Sequence, residues 1–241
     1  LMSVEVTNQV SVLFAPFKAL VIGANGAIGK AFVDELRQDA NCEHVETLSR
    51  SLNPGFDLLN ESSLKIYAQA CSSSGPFQLI VDATGALTIN GFGPEKSLKG
   101  LGQMSLVENF QVNAIGPILT LKYFSPLLAS GNSIYAKLSA RVGSISDNQT
   151  GGWYGYRASK AALNMLLQTA AIELQRKNSF LSVVALQPGT VRSKLSEPFT
   201  GSVSNLLEPK QSVEGMLQTL RNLKPRQGAQ FLDYKSEFIS W

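Results

Sequence analysis

A short apolar run, Phe17-Lys18-Ala19-Leu20-Val21-Ile22, leads directly into Gly23-Ala24-Asn25-Gly26-Ala27-Ile28-Gly29, and apolar residues then recur at helical spacing through Ile28, Phe32, Val33 and Leu36. A buried strand, a glycine turn and a helix in immediate succession constrain this chain more than any other feature. Glycines at such a junction let the backbone turn sharply and approach a phosphate held at the helix N-terminus, where free N–H groups and the positive end of the dipole favour an anion. The spacing is G-x-x-G-x-x-G, with Ala27 where a G-x-x-x-G-x-G pattern has its middle glycine. A dinucleotide cradled by Gly23, Asn25, Gly26, Ala27 and Ile28 is the expectation in this strand-turn-helix setting.

The alternation continues along the chain. Strands are predicted over 45–49, 78–83, 133–138, 181–186 and 231–234, and helices over 62–71, 107–128 and through the region of Tyr156 to Ile172. Pro117 is expected to loosen or kink the second of these helices. The 88–102 stretch, with Pro94 and several glycines, reads as a loop bordering a site. Regular alternation of strands and helices with right-handed crossovers predicts a single α/β domain over 1–241, a doubly wound parallel sheet (Rossmann-like) in three layers. Ligands are then expected at the carboxyl ends of the strands, near the switch point.

Composition removes several function classes. A net charge of +3 over 241 residues is too small and too evenly spread to argue for nucleic acid or an anionic membrane. No apolar run approaches the roughly 18 residues of a membrane span, and the 10–17 segment lacks a cationic lead, so neither membrane insertion nor a secretory signal is expected. Cys42 and Cys71 have no metal spacing and read as reduced thiols of a cytoplasmic protein. His44, the single histidine, is placed at the start of a strand with no ligand cluster beside it, so no metal site is expected.

Tyr156 and Lys160 lie at i and i+4 in Tyr-Arg-Ala-Ser-Lys, which on a helix puts a phenol and an ammonium on one face. A nearby cation stabilises a phenolate and is expected to lower the phenol's pKa from about 10, suiting it to move a proton to or from a carbonyl oxygen.

These residues resemble the single-domain short-chain dehydrogenases/reductases from about Val21 to the end. Gly23 to Gly29 looks like the family's cofactor turn, and Asp82-Ala83-Thr84-Gly85 stands where the family has Asn-Asn-Ala-Gly. Asn113 matches its helix asparagine, Tyr156 and Lys160 its catalytic pair, and Pro188-Gly189-Thr190-Val191 its loop beside the nicotinamide. Phe110 to Pro117, Val142 to Ile145 and Gly151 to Tyr154 look most like the C-factor and sniffer carbonyl reductase branch.

The resemblance implies an NAD(P)-dependent oxidoreductase acting on a small carbonyl or alcohol substrate, with Tyr156, Lys160 and Asn113 as catalytic residues. Lys160 would also hold the nicotinamide ribose, and Asn113 would help bind a water linking the lysine to solvent. Ala83, Thr84, Gly85, Tyr156, Lys160, Pro188, Gly189 and Val191 would join the cofactor site, with Asp57 and Leu58 at the adenine. An acidic residue after the second strand would select NAD; Ser49-Arg50-Ser51 offers a cation instead, so NADP(H) is favoured over NAD(H), with Arg50 facing the 2′-phosphate and Asn25 assisting.

One departure concerns the family's active-site serine, whose position is taken by Ala140, with Ser139 and Ser144 as alternatives. That departure permits a second reading, a dinucleotide-binding sensor or scaffold of weakened turnover. The 88–102 and 193–205 segments are expected to line the substrate pocket, and 187–199 to act as a lid. Family members are commonly homodimers or homotetramers through the helices bearing Asn113 and Tyr156.

Overall fold

The structure is a computed structural model, and it describes residues 12–193, 206–224 and 226–241. Its described elements, in chain order, are β1 (Phe17–Ile22), α1 (Ala27–Gln38), β2 (Cys42–Leu48), α2 (Glu61–Cys71), β3 (Leu79–Asp82) and α3 (Gln103–Phe110). They continue with α4 (Gly116–Phe124), β4 (Ser133–Leu138), α5 (Tyr154–Gln175), β5 (Leu181–Gln187), α6 (Pro209–Arg221) and β6 (Gln230–Asp233). The strands form one six-stranded sheet in the order β2-β1-β3-β4-β5-β6, with every pairing parallel. The chain leaves β1 toward β2 and returns to the other side of β1 as β3, so the switch point lies between β1 and β3.

Alternate residues of each strand enter different cores. Ala19, Val21, Leu79 and Val81 pack with Phe32, Val33 and Leu36 of α1 and Val213, Met216 and Leu220 of α6. Leu20, Ile22, Ile80 and Tyr135 pack on the opposite face with Leu64 of α2, Leu121 of α4 and Leu163, Leu167 and Ala171 of α5. Two helical layers over one sheet give the three layers predicted, and central strands buried on both faces explain their continuous apolar runs.

The predicted elements differ from the observed ones mainly at their ends. β2 begins at Cys42, so His44 lies inside the strand and not at its start. The break in the long helix is a π-helical turn over Gln111–Ile115, placed before Pro117, which sits in the first turn of α4. The missing N–H of Pro117 cannot serve the Asn113 carbonyl four residues back, and the Gly116 N–H reaches Gln111 instead. Of the apolar positions on α5, Leu163 and Leu167 are core, whereas Ile172 is exposed.

Leu163 is fully buried directly behind the segment that carries the tyrosine and lysine. Leu163→Ala is expected to lower stability by about 2–5 kcal/mol, read as a fall in the urea midpoint with unchanged slope.

Candidate active site

The parallel sheet brings the ends of β1, β3, β4 and β5 to one edge, and the motifs lie there. Gly23, with φ of 81°, turns the chain out of β1, and a Cβ on it would stand 3.0 Å from the Ala83 carbonyl carbon and 3.1 Å from the Thr84 nitrogen. A Cβ on Gly29 would fall 2.1 Å from the Gly23 carbonyl oxygen, so the first turn of α1 lies directly on the glycine turn. Both contacts demand glycine. The Gly23 and Ala24 N–H groups donate to the Leu48 carbonyl and fix the turn to the end of β2.

This arrangement fits a dinucleotide phosphate. Asn25, Gly26 and Ala27 are exposed, and α1 follows Gly26 at its N-cap, with no side-chain cap and no acidic residue in its first turn. First-turn N–H groups have no partner inside a helix, so they are available to an anion. Ala27 keeps its backbone in the cradle despite replacing a glycine, because its side chain points to solvent.

The β3 turn meets the β4 and α5 residues next. Asn113, fully buried in the π-helical turn, donates from Nδ2 to the Ala86 carbonyl at 2.8 Å and accepts the Ala86 N–H on Oδ1 at 2.9 Å. A Cβ on Gly85 would lie 3.1 Å from that Oδ1 and 3.4 Å from Lys160 Nζ. Lys160 Nζ donates to the Leu138 carbonyl at 3.2 Å and stands 5.7 Å from the centre of the Tyr156 ring. Gly85, Asn113, Tyr156 and Lys160 therefore share one small region.

The electrostatics correct one expectation. Burial pushes the Tyr156 phenol up to about 12, with no lowering from Lys160. Lys160 is itself brought down to about 7, first by burial, then by repulsion from Lys137, with Asp82 acting in the opposite direction. A desolvated ammonium so lowered is a weak stabiliser of a phenolate, which is why the expected depression of Tyr156 is not found.

Ala140 is partly exposed at the end of β4. Ser139 is buried, and its hydroxyl donates to Asn164 Oδ1 at 2.6 Å. Ser144 is also buried and accepts the Asp147 N–H at 3.1 Å. The Ser139 hydroxyl proton is thus committed to Asn164, whereas Ser144 acts toward Asp147 only as an acceptor, with Ser146 Oγ 3.4 Å away.

Other predicted residues are more dispersed. Arg50 is exposed just past β2, in a turn held by Ser49 and Asn53. Asp57 is exposed and accepts the Leu59 N–H, while the cap of α2 is Asn60, which accepts from Ser63. Leu58 lies on Gly116, where an added Cβ would come within 2.5 Å of it. Pro188 accepts from the Ser212 hydroxyl, Gly189 has φ of 77° against Leu207 and Tyr234, and Val191 is buried, its backbone bridging to Leu207. Residues 194–205, which make up nearly all of the pocket-lining segment 193–205 and the second part of the lid 187–199, lie outside the described residues.

Three contributors escaped the sequence reading. Glu95, buried in the 88–102 loop, accepts the Gly155 N–H at 3.0 Å and the Ser105 hydroxyl at 3.2 Å, and its carbonyl accepts the Trp153 N–H. It thus ties that loop to the start of the tyrosine helix, and nothing local to Glu95 announces a partner 60 residues away. Trp153 caps α5 in a left-handed conformation and sets its ring edge-on to Tyr156, 6.2 Å between centres. Lys137 carried a visible signal, a lysine inside an otherwise apolar strand.

The chain belongs to the short chain dehydrogenase family, whose family model matches residues 18–202. It is 29% identical over 192 residues to 1-hydroxy-2-glutathionyl-2-methyl-3-butene dehydrogenase of a Rhodococcus species, covering 79% of this chain and 80% of that relative. It is 30% identical over 169 residues to C-signal of Myxococcus xanthus, covering 70% of this chain and 95% of that relative, in agreement with the C-factor likeness of its motifs. The fold is shared with NADPH-bound carbonyl reductase from chicken fatty liver, with a TM-score of 0.79 at 23% identity over 94% of this chain and 95% of that one. Among the described residues no group of side chains could hold a metal ion, and no helix is long and apolar enough to cross a membrane.

Glu95→Ala removes the carboxylate that receives the first turn of α5. Stability is expected to fall by about 1–2 kcal/mol in thermal denaturation, with faster hydrogen exchange at Gly155 and Tyr156 than along the rest of α5.

Proposed function

We propose that this chain is an NADP(H)-dependent oxidoreductase that reduces a ketone or aldehyde, or oxidises the matching alcohol, with Tyr156 as the general acid/base. The observation that carries the reading is the convergence of Tyr156, Lys160, Asn113 and Gly85 at the same sheet edge as the open N-terminus of α1. Bound NADP(H) supplies or accepts the hydride. Tyr156, with its phenol at about 12, keeps its proton at neutral pH and is poised to donate it to a carbonyl oxygen. Lys160 and the turn 83–85 hold the ribose end, Pro188, Gly189 and Val191 the nicotinamide end, and Asp57 and Leu58 the adenine. Because the Asn113 side chain is taken up by Ala86, the water expected on this residue belongs on its main-chain carbonyl, which receives no N–H from Pro117.

Arg50 supports the choice of NADP(H): it is an exposed cation at the end of β2, and a guanidinium pairs well with a phosphate. Free thiols at Cys42 and Cys71, raised to about 11 and 12 by burial, are in keeping with a cytoplasmic protein. A homodimer or homotetramer is part of the same reading, through the groove between α4 and α5 lined by Ile118, Leu166, Ala170 and Leu174. Ala140 and the commitment of the Ser139 hydroxyl to Asn164 favour a second reading, a dinucleotide-binding sensor, which requires NADPH binding by calorimetry without turnover on a panel of carbonyls.

Tyr156→Phe is expected to reduce turnover by on the order of 10²–10⁴-fold while NADPH affinity stays within a few-fold, read by steady-state kinetics and calorimetry. Retained turnover would refute the assignment of the acid.

Arg50→Glu replaces the proposed phosphate partner with a repelling charge. NADPH is expected to bind on the order of ten-fold or more weakly, with NADH little changed. Equal affinities of the unaltered protein for the two cofactors would remove Arg50 from the site.

A further inference from the structure

Lys137 is left unused by the chemistry just described, yet its position is costly. It lies in β4, where every residue is buried, and its own side chain has no exposed surface. Removing an ammonium from water costs several kcal/mol unless it is paired and fully hydrogen-bonded. Here Nζ donates to Asp82 Oδ1 at 3.0 Å and to the Thr84 carbonyl at 2.5 Å, with Thr84 Oγ1 at 3.1 Å and the Asp82 carbonyl at 3.3 Å. Asp82 Oδ1 also accepts the Thr84 N–H and hydroxyl, and Oδ2 accepts from the Tyr135 phenol at 3.4 Å.

This network is built against the lysine of the proposed site. Lys160 Nζ donates to the carbonyl of Leu138, the residue after Lys137. Gly85, the residue after Thr84, lies against both Lys160 and Asn113. Two buried ammonium groups and one carboxylate therefore occupy adjoining positions on β3, β4 and α5.

We propose that Lys137 and Asp82 form a positioning pair for Lys160: they hold the turn that carries Gly85 against it, and their opposed charges act together on its ammonium. Its significance for turnover rests on the proposed role of Lys160. Burial lowers Lys160, repulsion from Lys137 lowers it further, and Asp82 raises it. Lys137 is itself lowered by burial, with Asp82 opposing. Among the described residues, the other groups facing Lys160 are few. From α5 comes Tyr156, and from β4 Tyr135 lies beyond Asp82. The π-helical turn brings only the neutral amide of Asn113, and Arg141, past β4, is engaged by Asp233 and Asp147.

The sign of each change follows. Lys137→Met removes the repulsion and leaves the attraction of Asp82, so Lys160 must titrate higher, by on the order of one pH unit or a tenfold change in its protonated ratio. Lys137→Met with Asp82→Asn removes both charges, and because the repulsion is the larger of the two, Lys160 still rises, by less than in the single variant.

The test is an NMR titration of protein carrying ¹³C-labelled lysine and prepared without nucleotide, in which Lys160→Arg identifies the Lys160 signal. We expect wild-type Lys160 to titrate near neutral pH, apart from the surface lysines, and to move upward in folded Lys137→Met. If that variant does not fold, the double variant decides. A wild-type Lys160 that titrates with the surface lysines overturns the proposal, as does a Lys160 at or below its wild-type value in the deciding variant. The titration needs neither nucleotide nor substrate, so its outcome is separate from whether Tyr156→Phe loses turnover.

Discussion

The ion pair between Asp82 and Lys137 is the contact on which the proposed site depends. The two residues are in direct register across β3 and β4, and both side chains are fully buried. A pair in that position is a poor source of net stability, because the desolvation of two ions offsets most of their attraction. Its effect is geometric. By also engaging the Thr84 carbonyl and hydroxyl, Lys137 fixes the path of the chain where it leaves the sheet, and that path brings Gly85 to Lys160 and Ala86 to Asn113. An apolar pair would pack the same strands without fixing that turn.

Helix α5 is the second fixed point. Tyr156, Lys160, Leu163 and Asn164 lie along one side of it, so Leu163 and Leu167 seat the helix on the sheet while Tyr156 and Lys160 reach the edge. Its N-terminus is held from outside by the Glu95 carboxylate, and Gly155 leaves room for it: an added Cβ there would stand 2.9 Å from Glu95 Oε1 and 3.0 Å from Asn109 Nδ2. Arg157, inside the Tyr-Arg-Ala-Ser-Lys motif, donates to the Gly152 carbonyl and the Thr150 hydroxyl and gathers the preceding loop. The motif therefore carries structural residues between its chemical ones.

Two of the departures from the family pattern have different weight. Ala27 alters only an exposed side chain at a turn whose backbone is set by Gly23 and Gly29. Ala140 removes a hydrogen-bond donor where the family resemblance places one for the reacting oxygen, and the neighbouring serines are already bonded to Asn164 and Asp147. Losing such a donor costs on the order of 3–4 kcal/mol of transition-state stabilisation. Under the proposed function, Tyr156 then carries more of the burden of polarising that oxygen.

The six strands, their alternation with helices other than α6, and the three layers were legible in the sequence, because period-two and period-3.6 burial and the demands of glycine at tight turns act over a few residues. The pairing of Tyr156 with Lys160 was legible for the same reason, being one helical turn. What only the tertiary structure decided were the properties that depend on distant neighbours: Glu95 meeting Gly155, Lys137 meeting Asp82, and Ser139 turning to Asn164. The charge of Lys160 and the proton of Tyr156 belong to this second group. Spacing puts the phenol and the ammonium on one face, but desolvation by the folded chain pushes their proton affinities in directions that the four-residue motif does not contain.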